Sequence, residues 1–152
     1  MSQPRFLLVL VCLSASMVGC MSAPPVGGAQ DGQTQNTVNF LQQKPSDTPD
    51  MMAPLEGRLA LSKACLYIQS ESLNASYAAI WPFNFGVAVQ NGDVQILNAG
   101  GEVVARVGDQ IRLSGGEVRQ FSPEEFDASF SGDPTPCTAP YWLVNTDVKV
   151  VN

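Results

Sequence analysis

Apolar and polar positions divide this chain into three stretches of different character. Phe6 to Leu13 form an unbroken apolar run behind Arg5. Residues 21–54 are dominated by Pro, Gly, Gln, Ser, Thr, Asn and Asp, and from Leu55 onward short apolar runs alternate with turn residues. That last rhythm, roughly one run every six to ten positions, is the mark of an all-β domain. Its clearest piece is a hairpin: residues 85–90 and 93–97 flank Asn91-Gly92, a dipeptide that supplies the positive φ angles of a type I′ turn. Turns at Asn98-Ala99-Gly100-Gly101 and Gly108-Asp109 then introduce residues 102–107 and 110–113, predicting a meander of successive strands. Further strands are predicted at 56–61, 65–69, 77–81, 141–144 and 147–151. Pro82 ends the third of these because it cannot donate to a ladder. Gly115-Gly116 reads as another turn.

One helix interrupts the β pattern. Ser122 is placed to cap it, Pro123 suits the first helical position, Glu125 completes a capping box, and Phe121 with Phe126 form a hydrophobic staple. The helix is predicted from Pro123 to about Phe130, with residues 131–136 as the loop that follows. Short strands with a single helix suit a small closed barrel, which removes exposed edges. The expected fold is all-β with one short helix, an OB-like or SH3-like barrel, with a two-sheet β-sandwich as the alternative.

The N-terminal apolar run is shorter than the ~20 residues that span a bilayer. Its flanking Arg5 and trailing small residues make residues 1–19 a signal peptide. The end of that segment, Met17-Val18-Gly19-Cys20, resembles the bacterial lipobox, with Met17 where leucine is usual. The resemblance implies that Cys20 becomes the new N-terminus and carries a diacylglyceryl group through its sulfur, with fatty-acyl chains of the palmitate type. A single chain holds a protein to a membrane only marginally, whereas two or three hold it firmly. The location implied is the bacterial envelope, on the outer membrane where two membranes are present. Residues 20–54 then read as the lipidated cysteine with a flexible polar tether, of root-mean-square reach ~30 Å, and residues 55–152 as the folded domain. The apolar group Val38, Phe40 and Leu41 reads as a sticky spot in the linker, with docking on the domain or on a partner as the alternative.

Beyond the signal and Cys20, Cys65 and Cys137 are the remaining cysteines. In an exported chain this even pair reads as one disulfide. Closing a loop of that length contributes about 4 kcal/mol in the chain-entropy model. The chain has no C-x-x-C motif and no histidine, which removes Ser-His-Asp and Cys-His nucleophiles and the usual zinc sites, so no metal or cofactor is expected. A net charge of -6 without a basic cluster works against nucleic acid as a partner.

Carboxylates are the remaining source of chemistry. Asp93 with Asp109, or Glu117 with Glu125, would be the acid and base of a carboxylate-dependent glycan hydrolase. Asn91-Gly92-Asp93 is too short a series of oxygen ligands for a calcium loop, and the glycine pairs lack the lysine of a phosphate loop. Asn74-Ala75-Ser76 matches a glycosylation acceptor that is usually idle in a bacterium. Aromatic residues offer binding value instead. Tyr141 and Trp142 are adjacent on a predicted strand, so one points inward and the other outward. The segment Trp81-Pro82-Phe83-Asn84-Phe85 is the expected apolar loop, and Trp81, Phe83 and Phe85 are the expected contact surface.

Glu56-Gly57-Arg58-Leu59, Ala64-Cys65-Leu66, Ile80-Trp81-Pro82, the run from Gly101 to Asp109, Gly115-Gly116, Cys137 and Pro140-Tyr141-Trp142 together form a pattern. It resembles that of small secreted or lipid-anchored bacterial β domains and covers nearly all of residues 55–152. The resemblance implies one disulfide-closed β domain and brings no activity with it. The function expected is a non-catalytic binding or structural domain of the envelope, with an envelope protein or a glycan as partner; the alternative is the carboxylate-dependent hydrolase.

Overall fold

The computed structural model of the protein describes residues 37–45 and 51–151. In chain order the elements are β1 (Gln42–Gln43), β2 (Ala53–Ser62), β3 (Cys65–Ser70), β4 (Ala75–Ile80), β5 (Gly86–Gln90), β6 (Asp93–Leu97), β7 (Val103–Arg106) and β8 (Gln110–Val118). The helix α1 (Pro123–Ser129), β9 (Phe130–Ser131), β10 (Tyr141–Val144) and β11 (Lys149–Val150) follow. Strands β2, β3, β4, β10 and β8 pair in that order, and β8 pairs back to β2, so the sheet closes on itself. The β4–β10 pairing is parallel and the others are antiparallel. This is a closed five-stranded barrel with the OB-like strand order, and neither the SH3-like barrel nor the two-sheet sandwich is formed.

Two glycines allow the closure. β2 pairs with β8 through Ala53–Arg58 and with β3 through Arg58–Ser62, so it changes neighbours beside Gly57. A Cβ there would lie 2.5 Å from the Gln69 carbonyl oxygen. Gly115 sits where β8 faces both Ala53 and Val144, and a Cβ would overlap the Leu143 carbonyl and approach Trp142 Nε1 to 2.5 Å. Gly115-Gly116 is therefore not the predicted turn but the interior of a long strand. Glycine marks close backbone approach as readily as it marks a turn.

The predicted hairpin is present, with Asn91 at φ 53° and Gly92 at φ 81°. The meander stops at three strands, β5-β6-β7, as a separate sheet. The fourth predicted member, β8, leaves it at Gly108-Asp109: Gly108 N–H donates to Leu59 O and Leu59 N–H donates to Asp109 O. These bonds hand the chain back to the barrel.

Alternation builds two cores. Leu59, Ile68, Tyr77, Trp81, Ile111 and Trp142 point into the barrel, where Phe85, Val94, Ile96 and Ala105 from the meander segment join the same cluster. Cys65, Tyr67, Ala78, Ile80 and Tyr141 point outward from β3, β4 and β10, yet they are also buried. Their cover is Phe126 of α1, Phe130 of β9, Cys137 and Leu41. The helix begins as predicted: Ser122 Oγ accepts from Glu125 N–H, Glu125 Oε2 accepts from Ser122 N–H, and the Phe121 and Phe126 rings lie 6.1 Å apart.

Residues 37–45 correct the predicted boundary at residue 55. They are not tether but part of the domain. Leu41 is 2% exposed, Phe40 stacks on Trp81 with ring centroids 6.1 Å apart, and β1 pairs with β9. Backbone bonds from Asn39 N–H to Ala64 O and from Trp81 N–H to Leu41 O fasten the arm along its length. The sticky group docks because Phe40 and Leu41 face opposite cores. β2 likewise starts at Ala53, inside the predicted tether.

Leu41→Ala should lower unfolding stability in urea by about 2–5 kcal/mol. A tether position would change it by no more than ~0.5 kcal/mol, so a shift that small would show the arm to be undocked. The Ser122 backbone N–H and hydroxyl hold the Glu125 carboxyl below its ordinary value of 4.5. Its contribution is thus complete above the unfolded pKa and is lost as pH falls through the lowered folded pKa. The thermal midpoint of the protein should converge on that of Glu125→Ala as pH is taken from about 6 to about 3; a gap independent of pH would contradict the capping role.

Candidate functional site

The three aromatic residues expected to make a contact surface do not act together. Trp81 follows β4 at an inward position, is fully buried, and lies between Phe40 (6.1 Å, 8° between planes) and Phe85 (6.3 Å, 18°). Phe85 is buried as well, its N–H donating to Pro82 O at 3.0 Å. Phe83 alone remains outside, 57% exposed at the tip of this turn. The expected surface is therefore corrected to a single exposed ring, because the arm and the meander close the barrel mouth over the other two. Trp142 is also buried, edge-on to Tyr77 at 5.3 Å. Neither indole Nε1 has a hydrogen-bond partner among the described residues.

Cys65 and Cys137 form the predicted disulfide, with sulfurs 2.07 Å apart and both residues in the outer core. Asn39 Nδ2 lies against it, 3.3 Å from Cys137 Sγ, and also donates to Asp133 O. Cys20 lies outside the described residues.

Each acid considered for catalysis has a local task. Asp93 pairs with Arg106 at 3.3 Å and accepts from Gln95 Nε2. Asp109 Oδ2 accepts from Arg106 N–H at 2.8 Å and so closes the turn into β8. Glu117 pairs with Arg119 at 3.0 Å and accepts from the Tyr77 hydroxyl at 3.4 Å. Burial and that carboxylate push the Tyr77 phenol above its ordinary value, so it stays protonated. Glu125 belongs to the capping box, which lowers its pKa, the opposite of what a general acid needs. Among the described residues no group of three or more His, Cys, Asp or Glu is placed to hold a metal ion. No described helix is long and apolar enough to cross a membrane.

A different site emerges on the outer face of the barrel, beyond the edge of the helical cover. Register places Arg58 opposite Gln69 and Gln69 opposite Ser76, a polar row across β2, β3 and β4. The β3–β4 turn closes one end of the row: Asn74, at φ 47°, donates its N–H to Glu71 O. Ser70 is buried beneath, its hydroxyl 3.2 Å from that of Ser72. Together these residues line a shallow, open groove of about 370 Å³. Arg58 Nη1 donates to Gly108 O at 3.0 Å, which fixes the guanidinium across the barrel surface. The groove offers amide, hydroxyl, carboxylate and guanidinium groups and no aromatic platform. It is suited to hydrogen-bonding a polar ligand rather than to stacking one. None of these residues was singled out from sequence for binding; alternation along β2 turns Arg58 outward, but the row exists only through register.

Both tryptophans should resist iodide quenching in the native protein and become fully accessible on unfolding, read from their fluorescence. Efficient quenching of the native protein would contradict the buried stack. Comparison with known protein families, curated proteins and solved structures finds no match to this chain.

Proposed function

We propose that this chain is a lipid-anchored protein of the bacterial envelope whose barrel is a non-catalytic binding module for a polar glycan. The observation that carries the binding half is the groove of Arg58, Gln69, Asn74 and Ser76. It lies at the opposite end of β3 from Cys65, ~17 Å along the strand, and the arm enters the fold beside Cys65. A ligand in the groove therefore meets the end of the outer face that lies away from the arm's point of entry. Small Greek-key barrels of this order bind oligonucleotides and oligosaccharides. By that analogy, and with a net charge of -6 opposing nucleic acid, a glycan is the better fit.

The anchoring half rests on Met17-Val18-Gly19-Cys20. The Cys65–Cys137 disulfide supports it, since such bonds persist in oxidising compartments. The resemblance to small lipid-anchored β domains belongs with the same reading. Lipid on Cys20 would place the domain on the outer membrane where two membranes are present. Between Cys20 and the arm at residues 37–45, the polar stretch expected from sequence to be a tether would join the lipid to the barrel. The hydrolase alternative has less support, because Asp93, Asp109, Glu117 and Glu125 are each engaged in local structure.

Expression in a bacterium with a labelled fatty acid should label the full chain and not Cys20→Ala. An unlabelled native chain would refute the anchor. Titration of soluble cell-wall glycan fragments should show Arg58→Ala weakening binding by about tenfold, the loss of one charge-assisted hydrogen bond. Equal affinity of both proteins would remove the groove from the proposal.

A further inference from the structure

The outer edge of β5 is open. β6 pairs with one side of the strand, and among the described residues nothing hydrogen-bonds the other. In a two-residue hairpin the residues flanking the turn form a hydrogen-bonded pair, and pairs alternate from there. Gln90 and Asp93 flank Asn91-Gly92, so Gln90, Ala88 and Gly86 bond to β6. Val87 and Val89 thus direct their N–H and C=O groups to the free edge. The same alternation shows on the far side of the hairpin, where Val94 O turns away from β5 to accept from Val107 N–H.

Edges of this kind are normally blunted with lysine, proline, a bulge or an inward charge. Gly86-Val87-Ala88-Val89-Gln90 has none of these. Its side chains are also uneven: Val87 is half-buried, whereas Val89, on the same face, is 47% exposed.

We infer that β5 pairs with β5 of a second copy of this chain, antiparallel about a two-fold axis through Ala88. In that register Val87 faces Val89 of the other copy as a hydrogen-bonded pair, and the axis repeats the pair. Every free N–H and C=O of Val87 and Val89 in both copies then has a partner, and the exposed Val89 is covered by Val87 of the other copy. Any other antiparallel register leaves some of these groups unpaired. The two three-stranded sheets become one continuous sheet, and the free β5 edges disappear. A pair of five-residue strands is smaller than a standard stable interface, so the dimer is a weak one that forms at high concentration. It needs neither the groove nor the lipid.

The test uses the full chain in mild detergent, with Cys12 and Cys20 changed to Ser, and Ala88→Cys added for cross-linking. Ala88 meets itself across the axis as a non-hydrogen-bonded pair, ~4.5 Å between Cα atoms, within reach of a disulfide. Mild oxidation should give covalent dimer, and Glu102→Cys, in the exposed Asn98–Glu102 turn, should not. Without the added cysteine, sedimentation equilibrium should show the mass rising with concentration toward twice the monomer. Val89→Lys should weaken the association roughly tenfold or more. Hydrogen exchange should slow with concentration at the amides of Val87 and Val89 and not at Ala88. The proposal is overturned by monomer mass at every concentration, by growth beyond a dimer, by equal cross-linking at residues 88 and 102, or by β5 protection that appears only with a different added polypeptide.

Discussion

Strands β3, β4 and β10 carry apolar side chains on both faces, so neither face can be left in water. Closing the sheet buries Ile68, Tyr77 and Trp142 inside the barrel and leaves Cys65, Tyr67, Ala78, Ile80 and Tyr141 on the outside. The second set needs a cover, and the chain builds one from two segments far apart in sequence. Leu41 comes from the N-terminal arm; Phe126, Phe130 and Cys137 come from the segment between the last two barrel strands. The Cys65–Cys137 bond then ties cover to barrel at the start of β3. A disulfide there holds together parts of the chain that contribute little to each other locally, and it limits how far the cover separates in the unfolded state.

Trp81 links this cover to the barrel mouth. It is inward-facing and fully buried, but the aromatic surfaces that bury it come from opposite directions in the sequence, Phe40 from the arm and Phe85 from the start of the meander segment. The arm is held by backbone bonds on both sides of this stack, at Asn39 and at Leu41. Arm, mouth and outer core therefore form one packed region. The end of the barrel that the cover does not reach carries the polar row of Arg58, Gln69 and Ser76. The distribution of apolar cover along β3 sets where a polar ligand can approach: the strand is sealed at Cys65 and open at Gln69.

Carboxylates show how surface charge in a small barrel is used for shape. Asp109, Asp93 and Glu125 satisfy turn, strand and helix-start groups, and Glu117 meets a buried tyrosine at the barrel end. Exposed pairs of this sort add little stability individually. Asp109 and Glu125 do more, because each satisfies a backbone donor where the chain changes direction, at the turn between β7 and β8 and at the start of α1.

Local chemistry by itself determined the all-β class, the Asn91-Gly92 hairpin, the capped helix from Pro123 and the disulfide. Each depends on residues adjacent in sequence or, for the cysteines, on their number. Asn91-Gly92 accepts positive φ angles and Ser122-Pro123-Glu124-Glu125 satisfies its own helix end wherever those segments are placed. Tertiary structure decided what depends on distant neighbours. Gly115-Gly116 looks the same in a turn as in a strand, and only the approach of β10 makes it a strand. Phe40 and Leu41 look the same on a loose linker as on an arm, and only the mouth and outer core draw them in. Trp81 and Phe85 were buried, and Arg58, Gln69 and Ser76 aligned, by strand order and register, which are set by how all the apolar faces are covered at once.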